Sequence, residues 1–127
     1  MPRQTIATDL APAAIGPYSQ AVRSGKILFL SGQIPLDPAS GQLVEGEIVV
    51  QTRRVFDNLQ AVCVAAGGSL ADVVRVGIYL TDLADFVVVN AVMAEYFSPP
   101  YPARSTIGVS GLPRGATVEV DAILVFD

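Results

Sequence analysis

The chain has no histidine, no tryptophan and a single cysteine, Cys63, among its 127 residues. A lone cysteine excludes an intramolecular disulfide framework. Without histidine or a second thiol, zinc and copper sites fall away, and so do Ser-His and Cys-His nucleophilic dyads. Charge is scarce as well: Asp, Glu, Lys and Arg make up 16% of the residues, and 12 acidic against 8 basic side chains leave a net charge of −4. With no basic cluster, an electrostatic footprint for nucleic acid is not expected. No apolar run reaches the roughly 18 residues of a membrane span, because Val87 to Ala94 is broken by Asn90 and flanked by Asp85 and Glu95. Met1-Pro2-Arg3-Gln4 has no apolar signal core behind it, so a cytoplasmic protein without membrane contact is expected. What remains is chemistry by carboxylate, guanidinium, hydroxyl and backbone groups, with no metal and no cofactor expected.

Apolar residues, by contrast, are abundant. They make up 51% of the chain, and the mean hydropathy is +0.49. The length corresponds to one domain over residues 1–127. Such a composition is high for a small monomer that must cover its whole surface with polar groups, so part of the apolar surface is expected to be buried against another copy.

The order of elements follows from periodicity and breakers. Arg3 to Thr8 reads as a short strand, followed by a loop from Asp9 to Pro17 in which Ile15-Gly16-Pro17-Tyr18-Ser19 fixes a bend and presents a phenol. Tyr18 either packs its ring on a neighbour or faces a site. Gln20 to Ser24 and Ile27 to Ile34 form a strand pair around Ser24-Gly25-Lys26, the second apolar on both faces as a central buried strand would be. It ends in Ser31-Gly32-Gln33, which is either a bulge or a place where backbone N–H groups approach a ligand. After a turn-rich loop, Ile48, Val55, Leu59, Val62 and Ala66 recur at helical spacing until Gly67-Gly68 stops the helix. Cys63 lies on that stripe and is expected to be a buried, inert thiol.

Ser69-Leu70-Ala71-Asp72 has the spacing of a capping box, with Asp in place of Glu. Val73 to Leu80 is a strand with Val74, Val76 and Ile78 on one side and Val73, Arg75, Gly77 and Tyr79 on the other. A second helix runs from about Leu83 to Phe97, with Phe86, Asn90, Met93 and Phe97 on one face. Asn90 interrupts an apolar stripe, so its amide either satisfies a nearby backbone end or points at a site. The coarse order is three strands, helix, strand, helix, two strands. This predicts an α+β domain, a sheet with two helices on one face and an apolar, uncovered opposite face.

The densest candidate chemistry lies between Pro102 and Asp121. Arg104, Thr106 and Gly108 share one side of a strand, and Thr117, Glu119 and Asp121 one side of the next. A hairpin is expected to join the two strands and to bring Arg104 and Glu119 into one neighbourhood. The pair is then either a structural ion pair or a fixed cation beside a tunable carboxylate, with Asp121 placed to tune it.

Pro102-Ala103-Arg104-Ser105-Thr106, Gly111-Leu112-Pro113 and Val118-Glu119-Val120-Asp121-Ala122-Ile123 together resemble the C-terminal signature of the RidA (YjgF-like) reactive-intermediate deaminase family. Ala14-Ile15-Gly16-Pro17-Tyr18-Ser19-Gln20, Ser31-Gly32-Gln33-Ile34-Pro35, Asp57-Asn58-Leu59, and Asp85-Phe86 followed by Asn90 are similar to further blocks in the family order. The resemblance implies a chorismate-mutase-like fold of about six strands in a mixed sheet, assembled as a homotrimer with sites between subunits. It implies hydrolysis of 2-imino or enamine acids, such as 2-iminobutanoate and 2-iminopropanoate, to 2-oxo acids and ammonia. It also implies that Arg104 grips the substrate carboxylate and that Tyr18, Ser31, Gly32, Asn90 and Glu119 line the pocket. Many members carry cysteine where this chain has Thr106, which can still line the pocket or donate a hydrogen bond. Catalysis would then fall to Arg104 and Glu119. The alternatives are a non-catalytic trimer that binds small carboxylates as a regulator or holdase, and a ribonuclease, which the acidic balance and missing histidine disfavour.

Overall fold

The computed structural model describes residues 2–127; Met1, where the N-terminal stretch read above begins, lies outside them. Six strands form one mixed sheet: β1 (Gln4–Ile6), β2 (Ala21–Ser24), β3 (Ile27–Gln33), β4 (Val73–Leu80), β5 (Ala103–Gly108) and β6 (Val118–Val125). Two helices, α1 (Ile48–Ala65) and α2 (Phe86–Tyr96), accompany them. The strand order is β1-β2-β3-β6-β4-β5. All pairings are antiparallel except β4 with β5, which is parallel.

This order corrects the expected hairpin. β5 and β6 are consecutive in sequence, yet β4 lies between them. The reason is in the connections: β4 to β5 crosses over through α2 and therefore arrives parallel, while β6 fills the slot between β3 and β4. Residues Pro113–Gly115 form a short 3₁₀ turn on the way to β6, in place of a tight hairpin loop.

The helices lie on one face. Alternation along β6 buries Val118, Val120, Ala122 and Leu124 beneath α1 and leaves Glu119, Asp121 and Ile123 on the open side. Val55, Phe56, Leu59, Val62 and Cys63 form the buried stripe of α1. Phe56 sits against the Tyr96 and Phe97 rings at 5.4 and 5.8 Å, tying α1 to the end of α2. Truncating a fully buried ring of this kind to alanine costs about 3–5 kcal/mol. α1 ends as anticipated: Gly67 at φ 91° lets its N–H reach the Val64 carbonyl at 3.0 Å and the Gly68 N–H reach that of Cys63 at 2.9 Å. Ser69 and Asp72 then form the expected reciprocal cap, with Ala71 N–H donating to Ser69 Oγ at 3.2 Å and Ser69 N–H to Asp72 Oδ2 at 2.9 Å.

Three local expectations change. β3 is not buried on both faces, since Leu28 and Leu30 enter the core while Ile27 and Phe29 remain 40% and 49% exposed on the open face. The open side of this chain is therefore apolar around Ile27, Phe29 and Val125. In β4 a bulge between Val73 and Arg75 shifts the register, so Val73 joins Val76 and Ile78 in the core and Val74 turns outward. The second helix begins with a 3₁₀ turn over Leu83–Asp85 and stops at Tyr96, Phe97 being already extended. Among the described residues, no helix is long and apolar enough to cross a membrane.

Candidate active site

Arg104 sits opposite Val76 in the β4–β5 ladder and so shares the helix-covered face. There its Nη1 donates to Asn90 Oδ1 at 2.6 Å and lies 3.5 Å from the Met93 sulfur, and the guanidinium is 5.1 Å from the Phe86 ring centre. Phe86, Asn90 and Met93 recur on one stripe of α2, which is why one strand residue meets all three. Asn90 thus points at the site and does not satisfy a backbone end. A cavity of about 390 Å³ opens beside it, lined by Asn90, Met93, Ala94, Tyr101, Pro102 and Arg104.

Glu119 stands on the other face. It lies opposite Tyr79, whose parallel-strand neighbour is the exposed Ile107. Arg104 and Glu119 are therefore two strands apart and on opposite sides of one sheet, and the chain by itself does not bring them together. The structural ion pair falls with the hairpin: among the described residues, the salt bridge is between Arg53 and Glu95, at 3.2 Å.

Around Glu119 the backbone is fitted to the carboxylate. A Cβ on Gly32 would collide with Glu119 Oε2 and lie 2.9 Å from its Cδ, so only glycine lets the side chain lie across β3. The bulge between Leu30 and Gln33 places Gly32 there. Tyr18, Gly32, Ile34, Pro113, Arg114 and Glu119 line a cavity of about 360 Å³ on this side. Burial first, and the nearby charge of Asp121 second, push the Glu119 carboxyl above its ordinary proton affinity. Glu119 makes no side-chain hydrogen bond among the described residues.

Two buried amides hold the cavity walls. Gln20 accepts the Thr8 N–H at 2.7 Å and donates to the carbonyls of Thr8, Ala11 and Pro12, fixing the loop that carries Tyr18. Asn58 on α1 donates to the carbonyls of Leu36 at 3.0 Å and Ile34 at 3.5 Å, fixing the exit of β3. Arg114, at φ 59°, swings its guanidinium to the Gly41 carbonyl at 3.0 Å.

A family model described as Endoribonuclease L-PSP matches residues 8–126. The chain belongs to the RidA (YjgF-like) family. Protein DfrA of Myxococcus xanthus is 56% identical over 127 residues, covering 98% of this chain and 97% of its own. The 2-iminobutanoate/2-iminopropanoate deaminase of Dermatophagoides farinae is 44% identical over 126 residues, covering 99% and 98%. The crystal structure of RidA from the Antarctic bacterium Psychrobacter sp. superposes with a TM-score of 0.94 at 50% identity, covering 97% of this chain and 99% of that one.

The remaining RidA-family positions divide between the two sides. Tyr18 is 51% exposed at the mouth of the Glu119 cavity. Ser31 precedes Gly32 on β3 but is already committed, its hydroxyl donating to the Ser19 carbonyl at 2.5 Å and its N–H to the Gln20 carbonyl at 3.0 Å. Thr106 shares the Arg104 face of β5, opposite Ile78. Its Oγ1 is buried without a partner and lines neither cavity. Cys63 is fully buried, and burial, ahead of the Asp72 charge, pushes its thiol up to about 12. Met93, Tyr101 and Arg114 were not singled out from sequence as site residues. Met93 was visible on the Asn90 stripe, whereas only the fold shows that Tyr101 and Arg114 meet the two cavities.

Proposed function

We propose that the protein hydrolyses small 2-imino and enamine acids, 2-iminobutanoate and 2-iminopropanoate among them, to 2-oxo acids and ammonia. In this reading it acts in the cytoplasm as a homotrimer, with each site between subunits. The observation that carries the proposal is a pair of half-sites: a guanidinium at Arg104 aimed by Asn90, and a partly desolvated carboxylate at Glu119 without a hydrogen bond among the described residues, on opposite faces of one sheet. Neither is complete without the other, and a second copy presenting its opposite face supplies what the first lacks. A relative that bears the name of this activity supports the choice of substrate.

Arg104 has one Nη1 contact fixed by Asn90, which leaves its Nε and Nη2 edge to grip the substrate carboxylate through two parallel hydrogen bonds. That grip places the imine carbon within reach of a water beside Glu119. As the water oxygen bonds to the carbon, the C=N electron pair moves onto nitrogen. Glu119 takes the water proton and passes it to that nitrogen. The carbinolamine then collapses: its hydroxyl proton passes through Glu119 to the amino nitrogen, the hydroxyl oxygen forms the C=O bond, the C–N bond breaks and ammonia leaves. The Gly32 N–H and the Tyr18 phenol, which share the Glu119 cavity, orient the water or the imine nitrogen in this reading. Positioning with acid–base help of about 10²–10⁴-fold suffices for a substrate that is already electrophilic.

The test is an assay in which a serine or threonine dehydratase generates the imino acid and semicarbazide traps what remains. Wild type is expected to lower semicarbazone formation and hasten 2-oxo acid release, and Arg104→Ala to do neither. Thermal stabilisation by a 2-oxo acid without any turnover would replace the enzyme by a carboxylate-binding regulator.

A further inference from the structure

Tyr79 lies directly across the β4–β6 ladder from Glu119, and Gly77 directly across from Asp121. Cross-strand neighbours approach to about 4.5–5.5 Å at Cβ, so the phenol has the Glu119 carboxylate facing it. It bypasses that group and runs diagonally over Gly77 to donate to Asp121 Oδ2 at 2.9 Å. The route exists because residue 77 has no side chain. A Cβ there would collide with Asp121 Oδ1 and lie 3.0 Å from the Tyr79 hydroxyl and 3.3 Å from Arg75 Nη1. A carboxylate, a phenol and a guanidinium thus fill the space of one missing methyl group, in the middle of the open face.

Glu119 is left out of this cluster and leans the other way, over Gly32. The charged and titratable groups that face it are Tyr79 and Arg75 from β4, Asp121 from its own strand, Tyr18 from the loop before β2 and Arg114 from the turn before β6. β3 presents only the bare backbone of Gly32. Neither cation bonds to Glu119: Arg75 keeps Nη1 in the cluster over Gly77 while its Nη2 reaches Ser105 Oγ at 3.3 Å, and Arg114 reaches the Gly41 carbonyl and Gln42 Oε1. Asp121, two residues along the strand and on the same face, is the fixed charge that remains.

We propose that Tyr79 and Asp121 are a positioning pair for Glu119, in which the phenol locks Asp121 over Gly77 and the locked charge holds Glu119 ready to accept a proton. Like charge on one face disfavours the ionised form of the neighbour, so Glu119 is a stronger base beside Asp121 than it would be alone. Donation from Tyr79 at 2.9 Å fixes where the Asp121 carboxylate sits on the face it shares with Glu119. The shift recorded for Glu119 has this sign, with Asp121 its second cause after burial. Tyr79 shows the reciprocal mark, its hydroxyl held protonated chiefly by the bond to Asp121.

The proposal rests on the imine-hydrolysis reading of Glu119, and its test separates the two. The Glu119 carboxyl is titrated by carbon NMR on glutamate-labelled protein, as wild type, Asp121→Asn and Tyr79→Phe. Asp121→Asn keeps the size of the side chain and an oxygen to accept the phenol while removing the charge. Its Glu119 midpoint is expected to fall by about half a pH unit or more, and the acid limb of kcat/KM to move to lower pH with it. Asp121→Glu should restore both. Tyr79→Phe alters no charge and should lower the midpoint by less, because the freed Asp121 turns toward solvent. An unchanged Glu119 midpoint in Asp121→Asn overturns the pair, as does a loss of activity with no shift in midpoint or limb. The NMR midpoints need no turnover. A wild type that hydrolyses no imine would sink the enzymatic reading while leaving the pair measured.

Discussion

Arg104 stands on the helix-covered face with its guanidinium fixed by Asn90 and Phe86, whereas Glu119 stands on the open face with no hydrogen-bond partner among the described residues. The contrast follows from what each group needs. A guanidinium stays charged at any working pH, so it has only to be aimed, and one side-chain acceptor does that. A carboxylate is a weak base until it is desolvated, so Glu119 lies among Ile34, Leu36 and Pro113 with an anion nearby. In contact, the two would neutralise each other: Arg104 would be occupied, and Glu119 would become a weaker base. Holding them on opposite faces keeps both available, as the proposed assembly with a second copy requires.

The largest effect expected breaks the Arg104 side. Arg104→Ala should lower kcat/KM by about 10²–10³-fold or more, as loss of a preorganised donor does, and Arg104→Lys should recover little because lysine lacks the planar fork. The sharper form of this experiment mixes two inactive proteins. Arg104→Ala and Glu119→Gln subunits, unfolded together and reassembled, should regain part of the wild-type rate, since some boundaries then carry one intact Arg104 and one intact Glu119. No recovery beyond the separate variants would mean that both groups act from the same subunit.

Next comes the seat of Glu119. Gly32→Ala puts a methyl group where the carboxylate lies and should cost up to about 10²-fold in kcat/KM by displacing it. The same change at Gly111, where a Cβ meets nothing within 4 Å, should leave activity unaltered. Equal losses at the two positions would show that Gly32 is not fitted to Glu119.

How much of this was legible in the sequence differs between local and long-range features. The α1 stripe, its Gly67 stop and the Ser69–Asp72 cap were read correctly because each is a pattern within a few residues. So was the general architecture of six strands with two helices on one face, but the open face is only partly apolar, Ile27, Phe29 and Val125 at one end giving way to Arg75, Tyr79, Glu119 and Asp121. The failure at Arg104 and Glu119 came from taking consecutive strands as paired. The pattern of alternation along β5 and β6 is the same whether they are neighbours or separated by β4, and only the parallel crossover through α2 decides it. The bulges in β3 and β4 were hidden for a related reason, since one extra residue changes the face of every residue on one side of it without altering composition. Gln20 and Asn58 were read as parts of family blocks, and their clamping roles depend on carbonyls 8–24 residues away.

Those clamps give a smaller, purely structural effect. Gln20→Leu should cost about 2–4 kcal/mol, because the Thr8 N–H and the carbonyls around it lose their buried partner. Denaturant midpoints at fixed protein concentration measure this. The cost should fall mainly on the loop that carries Tyr18, so amide exchange ought to quicken across residues 8–19 before it does in β6. Uniform loosening would assign Gln20 to the core as a whole.

The smallest effect concerns the price in stability of keeping Glu119 a base. Its proton affinity in the folded chain is raised, by burial first and Asp121 second, so the folded state binds this proton more tightly than the unfolded state does. The stabilisation this represents is fully present below the ordinary carboxylate range and is lost as pH rises through the folded value. At neutral pH the ionised side chain is therefore a liability to the fold. Glu119→Gln, neutral at every pH, should raise Tm slightly at pH 7–8, and the gain should shrink to nothing as pH falls through the range in which Glu119 takes its proton. Arg104→Ala has no such pH signature, because the guanidinium does not titrate there. A gain in Tm for Glu119→Gln that stays constant between pH 4 and pH 8 would mean that desolvation is not what sets Glu119 apart. The two sides would then differ in geometry but not in charge state.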